Sequence, residues 1–170
     1  MQAFFFKSCY NMINLRRFGI EMTFMDMKEI IGKNIVLILD EKVNPKKIGW
    51  TPYYIYLIKE RNFKQIVGSI VFRLGDFKEV GISGHIGYTI DEFYQGHYYA
   101  YQATDLLLKT LIKAHGYKEI VITCLLDNIA SNKTIKCLNV ISLEVVAIPA
   151  NLRKNYRGQK DINVYKVKVG

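Results

Sequence analysis

Hydrophobic and polar positions sort most of this chain into elements. Tyr53–Glu60, YYIYLIKE, is dense in aromatic and β-branched residues and predicts a strand. RNFKQ supplies a turn, and residues 66–75, IVGSIVFRLG, predict the next strand. Residues 84–91, GHIGYTID, predict a third, so the three form an antiparallel meander. Gly68 and Gly87 interrupt these runs where a sheet has a bulge or a close backbone approach. The period then changes. From Tyr98 to His115, the residues Ala103, Leu106, Leu107, Thr110, Leu111 and Ala114 recur at steps of three and four. That spacing predicts a helix with these residues inward and Gly116 as its stop.

KEIVITCLL, residues 118–126, is apolar on both faces, as in a covered strand. DNIASNKTIKCLN predicts a second helix from Ile129, packed through Ile129, Thr134, Ile135 and Leu138. Asn139 is placed to close it in a left-handed cap. ISLEVVAIP and DINVYKVKV predict two strands paired across the basic loop NLRKNYRGQK. The first fifty residues are the least regular. FMDMKEIIG reads as a short helix from Asp26 to Gly32, and NIVLILD as a strand or a buried helical turn. VNPKKIGWTP reads as a loop. Neither a repeat nor a linker divides the chain, so residues 1–170 are expected to form one domain. Strands followed by helix–strand–helix–strand–strand predict an α/β (α+β) fold. Its mixed, mostly antiparallel central sheet would carry helices on both faces.

Composition narrows the class. Half of the 170 residues are hydrophobic and only 3 are proline, which fits a folded rather than a disordered chain. Lys and Arg outnumber Asp and Glu by 24 to 15, a formal charge of +9. The excess is open to three readings, general solubility, a nucleic-acid surface or a polyanionic cofactor, and no basic tract argues for nucleic acid in particular. Cys9, Cys124 and Cys137 match no zinc or redox spacing, so no metal is expected. Cys124 and Cys137 read as core thiols in a reducing, cytoplasmic setting. MQAFFFKSCYNMINLRR lacks the layout of a secretory leader and reads as a strand region or extension. No run is apolar enough to span a membrane.

The chemistry concentrates around residues 85–133. FYQGHYYAYQA sits between a strand and a helix, where backbone N–H groups and the helix's positive end can meet a phosphate. Its spacing, IGYTIDEFYQGHYYAYQATDLLLKTLI, resembles the Gcn5-related N-acetyltransferases, in particular the branch with the ribosomal-protein N-terminal amine acetyltransferases. In that family the turn reads Arg/Gln-x-x-Gly-x-Gly/Ala. Gln95, Gly96 and Ala100 fit it, while Tyr98 replaces a usual glycine. ITCLLDNIASNKTIKCLNV repeats the family's Asn-x-x-Ser with Asn128 and Ser131, but departs from Leu-Gly-Phe at Asn139 and Val140. YRGQKDINVYKVKV resembles the closing segment, so the likeness runs from 53 to 169.

The resemblance implies an acyl-CoA N-acyltransferase fold with splayed central strands, and acetyl-CoA as cosubstrate. Pantetheine would lie along Tyr88, Thr89 and Ile90. The pyrophosphate would meet Gln95, Gly96, His97, Tyr98, Tyr99, Ala100 and Tyr101. At Tyr98 the ring either points away or fills the phosphate site; retained binding is the expectation. A primary amine would attack the thioester directly, with the Tyr88 or Thr89 amide holding the oxyanion. His85, where relatives often carry Glu, is the expected base, against the plainer reading of an exposed strand histidine. Glu92 and Glu144 are weaker alternatives. Asn128 would orient water or pantetheine, or cap its helix. Ser131 would bond near the sulfur or the cofactor backbone, and it or a water would supply the acid, since Ile135 stands where some relatives use tyrosine. Lys133 would meet a phosphate or stand as a solvated lysine on its helix face. The acceptor stays open between a protein N-terminus, a polyamine, an aminoglycoside and a small amine, and sheet edges leave room for a homodimer. A catalytically degenerate CoA-binding or protein-interaction module is the alternative function, with a nucleic-acid module behind it. Helices in the N-terminal third would shape the acceptor site.

Overall fold

The computed structural model describes residues 16–17, 20–21, 23–45 and 50–170. The expectations for MQAFFFKSCYN and for Cys9 lie outside the described residues. Two short strands, β1 (Arg16–Arg17) and β2 (Ile20–Glu21), pair with each other. All other strands join one eight-stranded sheet: β3 (Glu29–Ile31), β4 (Ile35–Val43), β5 (Tyr53–Glu60), β6 (Ile66–Arg73), β7 (Ile86–Ile90), β8 (Glu119–Leu125), β9 (Val140–Ala147) and β10 (Asp161–Lys168). The order is β3-β4-β5-β6-β7-β8-β10-β9. Every neighbour is antiparallel except β7 and β8, which run parallel.

The segment expected to be a helix around Asp26 is instead the first arm of a hairpin. Glu29, Ile30 and Ile31 pair with Ile38, Leu37 and Val36, and the turn closes with the Gly32 N–H on the Ile35 carbonyl at 2.9 Å. Ile30 and Leu37 bury on the core face, and that burial outweighs a weak local helix pattern. Residues 23–45 hold no helix, so nothing in them matches the helices expected to shape an acceptor site.

The main core lies on one face of the sheet. The strand side chains Tyr54, Tyr56, Ile58, Ile70, Phe72, Ile120, Ile122 and Tyr165 meet α2 (Tyr99–Leu107) and α3 (Ile129–Lys136) there. Tyr54 is fully buried and keeps both roles of its hydroxyl, accepting from the Met25 N–H at 2.7 Å and bonding His115 Nε2 at 2.8 Å. Gly68 lets β6 approach β7 closely, because a Cβ there would overlap the Thr89 carbonyl. The other face carries the short helix α1 (Phe77–Val80) and the turns at Gly81–Ser83 and Ala150–Tyr156. A smaller cluster of Ile148, Leu152 and Ile162 packs beneath them.

Two helix expectations need correction. α2 runs on into a π-helical turn at Leu108–Ile112. The extra residue in that turn rotates everything after it, so Ile112 and His115 face the core and Ala114 faces solvent. In α3, Ile135 and Leu138 are buried, but Ile129 is exposed by 67%. That helix ends through the Cys137 N–H on Thr134 O and the Leu138 N–H on Ile135 O, and Asn139 has no left-handed backbone. Cys137, expected in the core, is exposed at this end, whereas Cys124 is buried.

Candidate active site

β7 and β8 pair at a single position, Ile86 with Ile122. Just before it, His85 closes the seam from both sides of one residue: its N–H donates to Val121 O at 2.7 Å, and its Nδ1 accepts the Val121 N–H at 3.0 Å. Beyond Ile122 the strands part. β8 stays bound to β10 along its whole length, so only its β7 side opens. The gap is a cleft of about 230 Å³. Tyr88, Asn128 and Ser131 line it on the helix side, and Gly87, Thr123 and Tyr156 on the other, with Cys124 and Leu125 between.

The site residues expected from sequence divide into three groups. Tyr88, Asn128 and Ser131 come together. Asn128 caps α3, its Oδ1 accepting the Ser131 N–H at 3.1 Å, and this fixes Ser131 on the first turn. Ser131 Oγ lies 2.7 Å from Tyr88 Oη, which bridges the open seam with a side-chain hydrogen bond. Burial raises the Tyr88 phenol above its ordinary pKa, with the Ser131 bond pulling the other way, so it stays protonated at neutral pH. Burial likewise raises the Cys124 thiol and keeps it uncharged.

The turn forms the second group, at the mouth beside α2. Gln95 Nε2 donates to Ile90 O at 3.1 Å and ties the turn to the end of β7. Gly96 has φ +84°, and Tyr98 adopts the left-handed region at φ +59° and ψ +16° as the residue before α2. Tyr98 therefore holds the conformation that a glycine would favour there, and its side chain is 72% exposed. Its carbonyl accepts the first helical bond, from Gln102 N–H at 3.0 Å. No described residue accepts a bond from the N–H groups of Gly96 or Tyr98. Those donors sit at the positive end of a nine-residue helix. Ala100 is buried, Tyr101 and Tyr99 are half-buried, and His97 rests against the Tyr99 ring at 5.8 Å.

The third group does not reach the cleft with a free functional group. His85 is wholly buried, and its second nitrogen, Nε2, bonds Gly75 O at 3.2 Å. Burial lowers its pKa to about 4 despite those backbone bonds, so the ring is neutral at pH 7 with both nitrogens engaged. Glu92 is exposed at the turn after β7, and Lys133 is exposed on α3. Glu144 lines a separate groove with Phe77, Ile82 and Val164.

Sequence reading missed Asn132, Tyr156 and Arg73. Asn132 is buried and bonds Leu125 O and Asn128 O through Nδ2, while its Oδ1 accepts from Asn163 Nδ2 at 2.8 Å and Tyr165 Oη at 2.7 Å. It fastens α3 to β8 and β10, setting Ser131 in place; its only signal was a second Asn beside Asn-x-x-Ser. Among the described residues no cluster of His, Cys, Asp and Glu could hold a metal, and no helix is long and apolar enough to cross a membrane.

An eight-stranded, mostly antiparallel sheet parted at one parallel pair, with an anion-ready turn beside the gap, defines an acyl-CoA N-acyltransferase fold. The chain belongs to the GNAT family, since residues 26–139 match its Acetyltransferase (GNAT) domain. Solved structures similar to it include the microcin C7 self-immunity acetyltransferase MccE, in complex with acetyl-CoA and AMP. That one shares 25% identity at TM-score 0.50 over 69% of this chain. RimL, the ribosomal L7/L12 alpha-N-protein acetyltransferase in complex with coenzyme A, shares 24% at TM-score 0.51 over 69%. The ribosomal-protein-S5-alanine acetyltransferase of Vibrio fischeri shares 18% at TM-score 0.54, also over 69%. The chain covers 61% of the first protein and 62% of each of the others. No curated protein matches the sequence.

Proposed function

We propose that this chain transfers an acetyl group from acetyl-CoA to a primary amine, with both substrates bound and no acyl-enzyme. The parting of β7 from β8 beside a turn with free N–H groups carries this reading. The gap gives an extended chain of amides a place to pair as an added strand. The turn gives its diphosphate a nest and a helix end. Acetyl-CoA supplies the activated thioester, and MccE and RimL are structures with acetyl-CoA or CoA bound.

The residues then divide the work. The unbroken ladder with β6 is flanked by the Arg73 N–H on His85 O and the Asp91 N–H on Val67 O. Within the ladder Gly87 and Thr89 therefore face β6, and the Tyr88 backbone faces the cleft. The Tyr88 N–H is accordingly the oxyanion donor, rather than that of Thr89. Ser131 supplies the proton to the departing sulfur and takes one back through its 2.7 Å bond with Tyr88, whose phenol regains its proton from the water that accepted the amine's. The amine loses its own proton to water, because no Asp or Glu lines the cleft among the described residues and His85 has no free lone pair. We assign His85 to the seam rather than to base catalysis.

The test is thiol release from acetyl-CoA across a panel of amines, alongside acetyl-CoA binding by calorimetry. Tight binding and amine-dependent release support the reading. The missing carboxylate favours a second one, a CoA-binding module without turnover. Binding with no release from any amine would select it.

A further inference from the structure

Arg73 ends β6 on the face opposite α2 and α3, paired in register with Tyr53. Its guanidinium lies over the backbone of Gly87, a residue of the cleft. A Cβ built on Gly87 would meet Nη1 at 3.4 Å and Nη2 at 3.5 Å, so the guanidinium packs at van der Waals distance over that position. Nη1 donates to Gly84 O over a long 3.4 Å. Its other close charge partners are the phenols of Tyr156, which also lines the cleft, and of Tyr53. Among the described residues no carboxylate comes within ion-pair distance of Arg73, although Lys42, Lys109, Arg157 and Lys166 all find one. Burial also pulls its pKa below the ordinary arginine value.

A half-buried guanidinium with no counter-ion is costly in a folded protein unless something else pairs with it. A guanidinium offers two parallel donors to a carboxylate or phosphate. Here those donors lie against Gly87 and near Tyr156, two residues that line the cleft, on the sheet face opposite the helix that carries Ser131. We propose that Arg73 receives an oxyanion carried by the acceptor, so the amine acetylated here has a carboxylate or phosphate close to its nitrogen. The proposal rests on the acetyl-transfer reading for its substrate, but its anion site is testable apart from turnover.

Matched acceptors give the test: glycine against glycinamide for the carboxylate, and O-phosphoethanolamine against ethanolamine for the phosphate. Thiol release is compared per fraction of neutral amine. Calorimetry then follows N-acetylglycine and N-acetylglycinamide binding to the CoA-saturated protein, which needs no turnover. The expected result is a preference of roughly tenfold or more for the anionic member of at least one pair, by rate or by binding. Arg73→Met should remove it, leaving the neutral member within about threefold, and Arg73→Lys should keep part of it. Melting of Arg73→Met at or above the wild-type temperature supports an uncompensated charge. A fall of more than about 5 °C would make Arg73 a structural strut and overturn the proposal. So would equal treatment of both members by wild type, or a preference that survives in Arg73→Met. Arg73-dependent anion binding without thiol release from any amine would leave this site standing and remove the acetyl-transfer reading.

Discussion

Tyr98 holds a backbone conformation that costs an L-residue about 1–2 kcal/mol, and its exposed ring gains little in return. Tyr98→Gly should therefore stabilise the fold by about 1 kcal/mol, read as a higher urea midpoint at unchanged slope. Acetyl-CoA affinity should stay within about twofold, because the nest is built from main-chain donors. A large loss of affinity would show that the ring belongs to the site. Ser131→Ala should lower the turnover rate by about 10²-fold, while acetyl-CoA binding by calorimetry stays within about twofold. Ser131, Asn128 and the turn could be singled out from sequence, because each falls inside a spaced motif. Arg73 could not, since an arginine at a strand end reads as a solvated charge until the strand beside it is known. Nor did the sequence show that His85 is buried. That depends on Gly75 and Val121, residues 10 and 36 positions away in the chain.

At the scale of elements, His85 is the latch that starts the open seam. The sign of its pH dependence follows from its lowered pKa. The unfolded chain protonates this ring near pH 6.5, while the folded chain resists until about pH 4. Its contribution is thus whole above pH 6.5 and is lost as pH falls toward 4, by at most about 3 kcal/mol. Unfolding free energies measured between pH 4 and pH 7 should show that slope in wild type, and His85→Gln should flatten it. The pH profile of turnover should show no break near 6.5 in either protein. Strands β5, β6 and β8 were legible almost to the residue, because alternation or continuous apolarity persists over seven or eight positions. The β3–β4 hairpin was not. Its first arm has only three residues, and pairing, not local pattern, decides it. The π turn in the long helix was also hidden, since steps of three and four cannot announce an inserted residue.

Across the whole molecule, β3 to β7 form one antiparallel run and β8, β10 and β9 another. A ligand lying between them touches both, so it stabilises the fold in proportion to its binding. Acetyl-CoA at one hundred times its dissociation constant should add about 2.7 kcal/mol. For a chain of this size that is a rise in melting temperature of about 5–10 °C. Thermal scans across a concentration series check it, and a flat response would argue that the cleft does not take this ligand. Sequence order predicted a mixed sheet and the family resemblance its parted central strands, but neither showed how little backbone joins the two parts.

That economy has a mechanical side. Seven register pairs tie β8 to β10, and five tie β6 to β7, yet one joins β7 to β8. Pulled across the sheet, from Ile58 on β5 against Tyr165 on β10, the molecule should tear along this line first. The His85–Val121 pair and the Tyr88–Ser131 bond are the stitches that hold it. A bound acetyl-CoA acts as a rivet there, and single-molecule extension should record a higher rupture force in its presence. The line along which the protein opens most easily is the line along which it grips.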